Sequence, residues 1–326
     1  MPASRDELYH AGSSTVSISV RNQSSNRTPS LISVVVPAHG EIECIAEQLT
    51  SLGQQDYDGC WEIVIADNGM GPTTRAVVEN WVRQTSRARL VTARGRRGAG
   101  HARNIGTAEA SGDVLLYCDA DDVVAPWWVS AMAWAAERCD FFAGVDEVLT
   151  VAADGSMPPW TVPASLSICP ADTETRHAFL PWARGGNCGV WRVALQAVNG
   201  WNEDWLRGQD VELSWRLQTH GYRLYRVPAG RVRYRRPEGL WDDMRHQFEF
   251  GLRAHSLYRA AGWREAPHKS AFRELKRLAC LVIRSPNLVL TAQRRRSWLV
   301  GASGIVGRWV GAWRCRNRWS RQYTER

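Results

Sequence analysis

Short apolar runs punctuate the first half of the chain, each closed by a turn former or by acids. Ile32–Val36 stops at Pro37, and Glu62–Ala66 stops at Asp67-Asn68-Gly69. Leu90–Thr92 is shorter, and Val114–Tyr117 runs into Cys118-Asp119-Ala120-Asp121-Asp122. Runs of this length, rich in β-branched residues, fit strands buried on both faces. Between them lie segments of helical spacing. Glu43–Leu52 places Ile45, Leu49 and Leu52 together, Val77–Val82 follows, and Arg103–Ala110 closes at Ser111-Gly112. Strand and helix therefore alternate, as βαβ units on a parallel sheet do.

Beyond Trp127 the rhythm changes. Val129–Cys139 reads as helix, Phe141–Val151 as strands, and the Pro-rich stretch Met157–Pro181 as a long loop. Trp191–Val198 and Val211–Thr219 read as helices, and Arg223–Val227 and Arg231–Arg235 as short strands. Residues 1–29 are Ser-, Asn- and Arg-rich without an apolar centre, so the sequence predicts a loose extension and no signal peptide.

With 326 residues and 44% hydrophobic content the chain can bury a sizeable core. Its net charge of +8 is unevenly placed: Arg264–Arg326 holds 15 Lys and Arg against 3 Asp and Glu. That tail carries +12, so the preceding residues carry −4. Basic residues mixed with Trp, Leu, Val and Ile suit interfacial helices near an anionic surface, although a solvated basic face has the same composition. The two most apolar stretches there, Leu278–Ala292 and Trp298–Trp313, are broken by charge or proline and fall short of a span. Eight cysteines show no CxxC spacing, which predicts free thiols in a reducing compartment, with Cys118 and Cys280 in apolar contexts.

The acids after Tyr117 carry the chemistry. Asp119, Asp121 and Asp122 follow a buried strand at the rim of an α/β sheet, where such folds place ligands. Like charges so close repel and favour protonation unless a cation intervenes. Oxygen-only donors suit Mg²⁺ or Mn²⁺, ions that commonly hold substrate phosphates as well. A turn rich in Asp would show the same letters. Gly98–Gly106 has the glycines of a phosphate loop but no Walker lysine. Asp210 stands at the start of a helix, where the dipole favours a charged carboxylate, and the same position suits simple capping.

From about Ile32 to Arg236 the chain resembles an inverting, GT-A-fold glycosyltransferase of family 2. The matching pieces are Ser33–Glu41, Glu62–Gly69, Gly98–Gly106, Asp119–Asp122, Gly200–Glu203 and Gly208–Arg216, in that order. The resemblance implies an α/β GT-A fold, the nucleotide-diphospho-sugar transferase fold. Its central sheet would be mostly parallel and flanked by helices, with a helical basic C-terminal extension. It implies a catalytic domain over 30–236, with a nucleotide-binding half (30–125) and an acceptor half (126–236), followed by a Trp-rich region, 237–326.

It further implies that Asp121, with Asp119, holds Mg²⁺ or Mn²⁺ and that Asp119 lies near the donor ribose and diphosphate. Pro37, Ala38, His39, Glu41, Asp67, Asn68, Gly98 and Arg103 would line the nucleotide-sugar site. Asp210 would be the catalytic base, and Trp201, Asn202, Glu203 and Arg216 would face the acceptor. The family often has Tyr-Asn where this chain has His39-Gly40, and Asp-Asp where it has Asp67-Asn68. Some relatives supply a metal-binding His after the strand that here ends in Tyr234-Arg235-Arg236, so either Asp and substrate alone bind the cation or His246 reaches it.

The expected partners are a nucleotide-diphosphate sugar donor, a sugar or lipid-linked acceptor and an anionic membrane surface. The expected location is the cytoplasm, at the inner face of the membrane. Nucleic acid is not expected, since no recognition module is present. A catalytically silent sugar-binding relative and a nucleic-acid binder through the basic tail are the rival readings. A dinucleotide oxidoreductase is disfavoured, because the first strand lacks Gly-x-Gly-x-x-Gly after it.

Overall fold

The computed structural model describes residues 5–11, 14–20, 27–149, 157–171, 180–235, 239–260, 279–280, 282–283 and 291–323. They fall into two compact units, Met1–Tyr9 with Thr15–Arg236, and His10–Ser14 with Pro237–Arg326. Strands β1 (Arg5–Ala11) and β2 (Ser14–Val20) pair as a separate two-stranded sheet, where the sequence predicts a loose extension.

The main sheet has nine strands. Its first half alternates as the apolar runs predict: β3 (Ile32–Gly40), α1 (Ile45–Gly53), β4 (Trp61–Met70), α2 (Pro72–Gln84), β5 (Ala88–Thr92), α3 (Ala99–Glu109) and β6 (Val114–Cys118). These strands lie in the order β5-β4-β3-β6 and are all parallel. Ile32, Val34, Val35, Ile63, Val64, Ile65, Leu115 and Leu116 are fully buried, as strands covered on both faces require. Strand β3 leads outward to β4 and β5, and the chain then returns to place β6 on the other side of β3. The direction of winding thus reverses between β3 and β6, and ligands of open α/β sheets bind outside the strand ends at such a point.

β3 and β4 run further than their apolar runs suggest. Pairing continues from Val36↔Ile65 through Ala38↔Asp67, then slips before Gly40↔Met70. Asp67-Asn68-Gly69 is therefore the bulged end of a strand, not a free turn.

The second half departs from the parallel pattern. It contains β7 (Val123–Val124), α4 (Trp128–Ala136), β8 (Phe141–Val148), β9 (Cys169–Pro170), β10 (Asn187–Trp191), α5 (Arg192–Ala197), α6 (Gln209–Thr219) and β11 (Leu224–Tyr234). β10 lies antiparallel between β6 and β8, while β8 and β11 are parallel. The sheet is mixed: β3 to β6 are parallel as expected, and β10 inserts as a reversed strand that the apolar runs do not announce. β11 is one strand with a slip between Arg226 and Arg231, not two.

The second unit contains α7 (Leu240–Ala260) and α8 (Ala292–Tyr323), packed together. Their seam is tight. A Cβ on Gly307 would lie 2.1 Å from the Phe248 carbonyl oxygen, and one on Gly311 would lie 2.2 Å from that of Leu252. Asp243 accepts from Arg296 Nη2 at 2.8 Å across it. Trp241, Phe250, Trp309 and Trp313 remain exposed. Among the described residues no helix is long and apolar enough to cross a membrane. Cys118, Cys139 and Cys188 are buried free thiols, whereas Cys280 is exposed, contrary to its apolar context.

Candidate active site

The acid loop leaves β6 at the winding reversal. Asp119, Asp121 and Asp122 each offer a carboxylate oxygen within 4.8 Å of the others. The turn is closed by Asp122 N donating to the Asp119 carbonyl at 3.4 Å. Gln48, buried on α1, clamps it from below: its Nε2 donates to the Asp119 carbonyl at 3.1 Å and its Oε1 accepts from Val124 N at 3.2 Å. Asp121 is the exposed member and Asp122 is buried. Although the Asp121 side chain reaches solvent, the protein around its base and the neighbouring Asp119 raise its carboxyl above the ordinary value. Burial and Asp119 also raise that of Asp122, against the pull of Arg184. Three hard oxygen donors at this spacing, with protonation favoured in the absence of a cation, fit an Mg²⁺- or Mn²⁺-sized ion.

The register of β10 decides what faces this loop. Asn187 pairs with Cys118, so Arg184-Gly185-Gly186 runs beside Asp119. The approach is close: a Cβ on Gly186 would lie 2.2 Å from Asp119 Oδ2 and would displace that carboxylate. Arg184 bridges three acids: Nη1 to Asp119 Oδ2 at 3.3 Å, Nη2 to Asp122 Oδ2 at 2.5 Å, and Nε to Asp146 Oδ1 at 3.1 Å. Burial opposes its charge, but the three carboxylates hold it firmly protonated. Asn187 is buried, accepts from Trp128 Nε1 at 2.9 Å and donates to Asp146 at 3.2 Å.

Arg103 comes from α3, is 3% exposed, and donates Nη2 to Asp119 Oδ1 at 2.7 Å. Its Nε and Nη1 are buried without a hydrogen-bond partner among the described residues. Asp210 sits one residue inside α6, and Gly208, with φ of 77°, is the N-cap. Asp210 Oδ1 accepts from Val211 N at 2.9 Å and Oδ2 accepts from Gly185 N at 3.4 Å. Burial raises the Asp210 carboxyl despite these bonds and the charge of Arg103. Burial thus works against the charged form that the start of α6 favours. The Arg184–Gly186 segment thus touches both the acid loop and Asp210.

Several residues expected at donor or acceptor are also tied into the scaffold. Asp67 is 0% exposed; its Oδ1 accepts from Gly69 N at 2.9 Å and Met70 N at 2.7 Å, and its Oδ2 pairs with Arg75 and Arg94. Burial alone would raise its carboxyl, yet these donors hold it below the ordinary value. Asn68 donates to the Ala93 and Arg96 carbonyls and accepts from Gly98 N at 2.8 Å, stapling β4 to the loop before α3. Its side-chain carbonyl is therefore already engaged. His39 is exposed and its Nδ1 meets the Asn68 carbonyl at 2.7 Å. Pro37 and Ala38 lie within β3. Glu41 caps α2, accepting from Thr74 N and Oγ1 at 3.0 Å.

On the acceptor side, Trp201 is 2% exposed, edge-on to Tyr117 at 5.1 Å and beneath the Arg103 guanidinium at 4.6 Å. It supports Arg103 and offers no open face for a sugar. Glu203 is held by His101 Nδ1 at 2.9 Å and Asn104 Nδ2 at 2.8 Å. Asn202 Oδ1 accepts from Asp204 N at 3.1 Å. Arg216 forks onto Glu212 with two bonds of 2.8 Å and reaches the Val198 carbonyl. Gln48, Arg184, Asp146 and Asn187 escaped the sequence reading. The one available signal was Arg184-Gly185-Gly186-Asn187 before the apolar run Cys188–Trp191.

Residues 33–148 match the family model described as Glycosyl transferase family 2. YwdF of Bacillus subtilis (strain 168), an uncharacterized glycosyltransferase, is 28% identical over 211 residues, which is 62% of this chain and 73% of that protein. WfgD of Escherichia coli, a UDP-Glc:alpha-D-GlcNAc-diphosphoundecaprenol beta-1,3-glucosyltransferase, is 30% identical over 28% of this chain and 36% of its own length. In two further relatives the match spans 31% and 24% of the relative's length. Among solved structures, the mannosyltransferase PcManGT from Pyrobaculum calidifontis, in complex with GDP-Man and Mn²⁺, aligns with a TM-score of 0.63. That alignment covers 89% of both chains at 17% identity, a likeness of fold.

Proposed function

Because this chain carries a family 2 glycosyltransferase domain with the GT-A fold, we propose that it moves a hexosyl group from a nucleotide-diphosphate sugar to an acceptor hydroxyl with inversion. The observation that carries this is the shared segment Arg184-Gly185-Gly186, which abuts Asp119 and donates to Asp210. It joins a site for diphosphate to a carboxylate suited to take a proton.

Asp121 and Asp119 would hold Mg²⁺ or Mn²⁺, which when bound offsets charge on the departing diphosphate. Arg103 presents two buried nitrogens, Nε and Nη1, with no acceptor among the described residues, and these donors suit diphosphate oxygens. Asp210 accepts the proton of the acceptor hydroxyl. Its raised proton affinity strengthens it as a base, provided it is ionised at working pH. The hydroxyl then attacks the anomeric carbon from the face opposite the diphosphate, and single displacement inverts configuration.

The acceptor we propose is lipid-linked, at an anionic membrane surface. Support comes from the exposed Trp241 on α7 and Trp309 and Trp313 on α8, from the exposed Arg294 and Arg295 earlier on α8, and from the diphosphoundecaprenol acceptor in the name of WfgD. The test is a thermal-shift panel of nucleotide sugars with and without Mn²⁺, followed by transfer assays on Asp210→Asn. Stabilisation by one donor only with metal, and binding without transfer in the variant, are expected. Transfer by Asp210→Asn at the wild-type rate would remove the proposed base.

A further inference from the structure

The acid cluster already contains a positive charge. Arg184 reaches Asp119, Asp122 and Asp146 at 3.3, 2.5 and 3.1 Å, and its guanidinium lies 5.3 Å from the Tyr234 ring centroid. Arg103 takes the other oxygen of Asp119 at 2.7 Å. Each oxygen of Asp119 therefore faces one guanidinium, and Asp122 Oδ2 faces a third contact. Asp121 is exposed, and no arginine is paired with it among the described residues. A divalent ion entering here meets Asp121 and two further carboxylates that already share guanidinium charge.

We propose that Arg184 is a built-in counter-ion that holds down the affinity of the acid cluster for free metal. The cation then binds well only together with the diphosphate of the donor, whose negative charge offsets the guanidinium. Two ligands that each relieve the other's repulsion are coupled, and the coupling is reciprocal. Arg184 is thus a positioning residue: it sets which carboxylates are open, Asp121 first, and in which company the metal arrives. This rests on the reading of the acid cluster as a metal site.

The arrangement also explains the buried acids. Asp122, which is buried, and Asp146, which is half-buried, would be costly charges without a partner, and Arg184 serves both. A guanidinium suits the role because it stays protonated and presents several donors in one plane.

The test is a Mn²⁺ titration of the full-length protein, without nucleotide, followed by the electron paramagnetic resonance of the free ion. Wild type, Arg184→Met, Arg184→Gln, Arg184→Lys and Asp121→Asn are compared, each with its thermal melt. Removing the charge in Met or Gln is expected to tighten Mn²⁺ binding by about ten-fold or more. Lys, which keeps the charge, should stay within about three-fold of wild type. A merely structural role would weaken binding or leave it unchanged, and either result from a folded Met or Gln variant overturns the proposal. Loss of a cooperative melt in both overturns it as well, by making Arg184 a clasp for the fold. If wild type and the folded Met and Gln variants all fail to bind Mn²⁺ even when a nucleoside diphosphate is added, the metal-site reading itself fails, which is a separate outcome.

Discussion

At the residue scale, the candidate base shows how burial competes with position. Asp210 sits in the first turn of α6, yet its carboxyl is raised because burial exceeds the help from Val211 N and Arg103. A group with a raised folded pKa stabilises the fold below its unfolded value and loses that contribution as pH rises through the folded one. Asp210→Asn should therefore melt higher than wild type at pH 8, and the gap should close as pH approaches 4, measured by calorimetry. The same change should lower transfer by about 10²–10⁴-fold, the usual share of a general base. In wild type, the acid limb of the transfer rate should fall above the range of an ordinary aspartate. Trp201 belongs to the same scale. Its ring carries Arg103 and packs on Tyr117, so Trp201→Ala should cost about 3–5 kcal/mol in urea unfolding. An exposed sugar platform would cost far less.

At the element scale, the ends of the strands are fixed by polar clamps. Asp67 closes the bulged end of β4 by accepting from Gly69 N and Met70 N, and it ties that end to α2 through Arg75 and to Arg94 beyond β5. Asp67→Ala should destabilise the protein by on the order of 3 kcal/mol, below a fully buried pair because both arginines reach water. The depressed carboxyl gives the sign of its pH dependence: its contribution is present above the ordinary aspartate value and is lost as pH falls through the folded one. The gap in denaturation midpoint between wild type and the alanine variant at pH 7 should narrow at pH 3. Gln48 does for the acid loop what Asp67 does for β4, joining Asp119 and Val124 from a helix that carries no chemistry.

At the scale of the whole molecule, charge is divided between two units that are best tested separately. The basic α8 carries exposed Trp309 and Trp313 over a seam packed through glycine. The full-length protein should sediment with phosphatidylglycerol vesicles and much less with phosphatidylcholine. About 0.5 M salt should release it, since screening is strong at that strength. Trp309→Ser with Trp313→Ser should weaken the association. Equal binding to both vesicle types would reject an anionic surface as partner.

Much of the first half was legible in the amino-acid order. Apolar runs at Ile32, Glu62, Leu90 and Val114 became β3 to β6, and the helices between them followed, because local periodicity and burial on both faces agree there. Asp119-Ala120-Asp121-Asp122 could be read for the same reason: three acids after a buried strand conflict unless something resolves them. Only the tertiary structure decided the rest. β10 runs antiparallel beside β6, and that register alone sets Arg184, Asp146 and Asn187 against the acids. Whether Asn68, Trp201 or Arg216 faces a ligand or a neighbouring carbonyl depends on partners about 20 to 100 residues away. Periodicity records which way a side chain points within its own element, and it carries no information about which distant group will meet it.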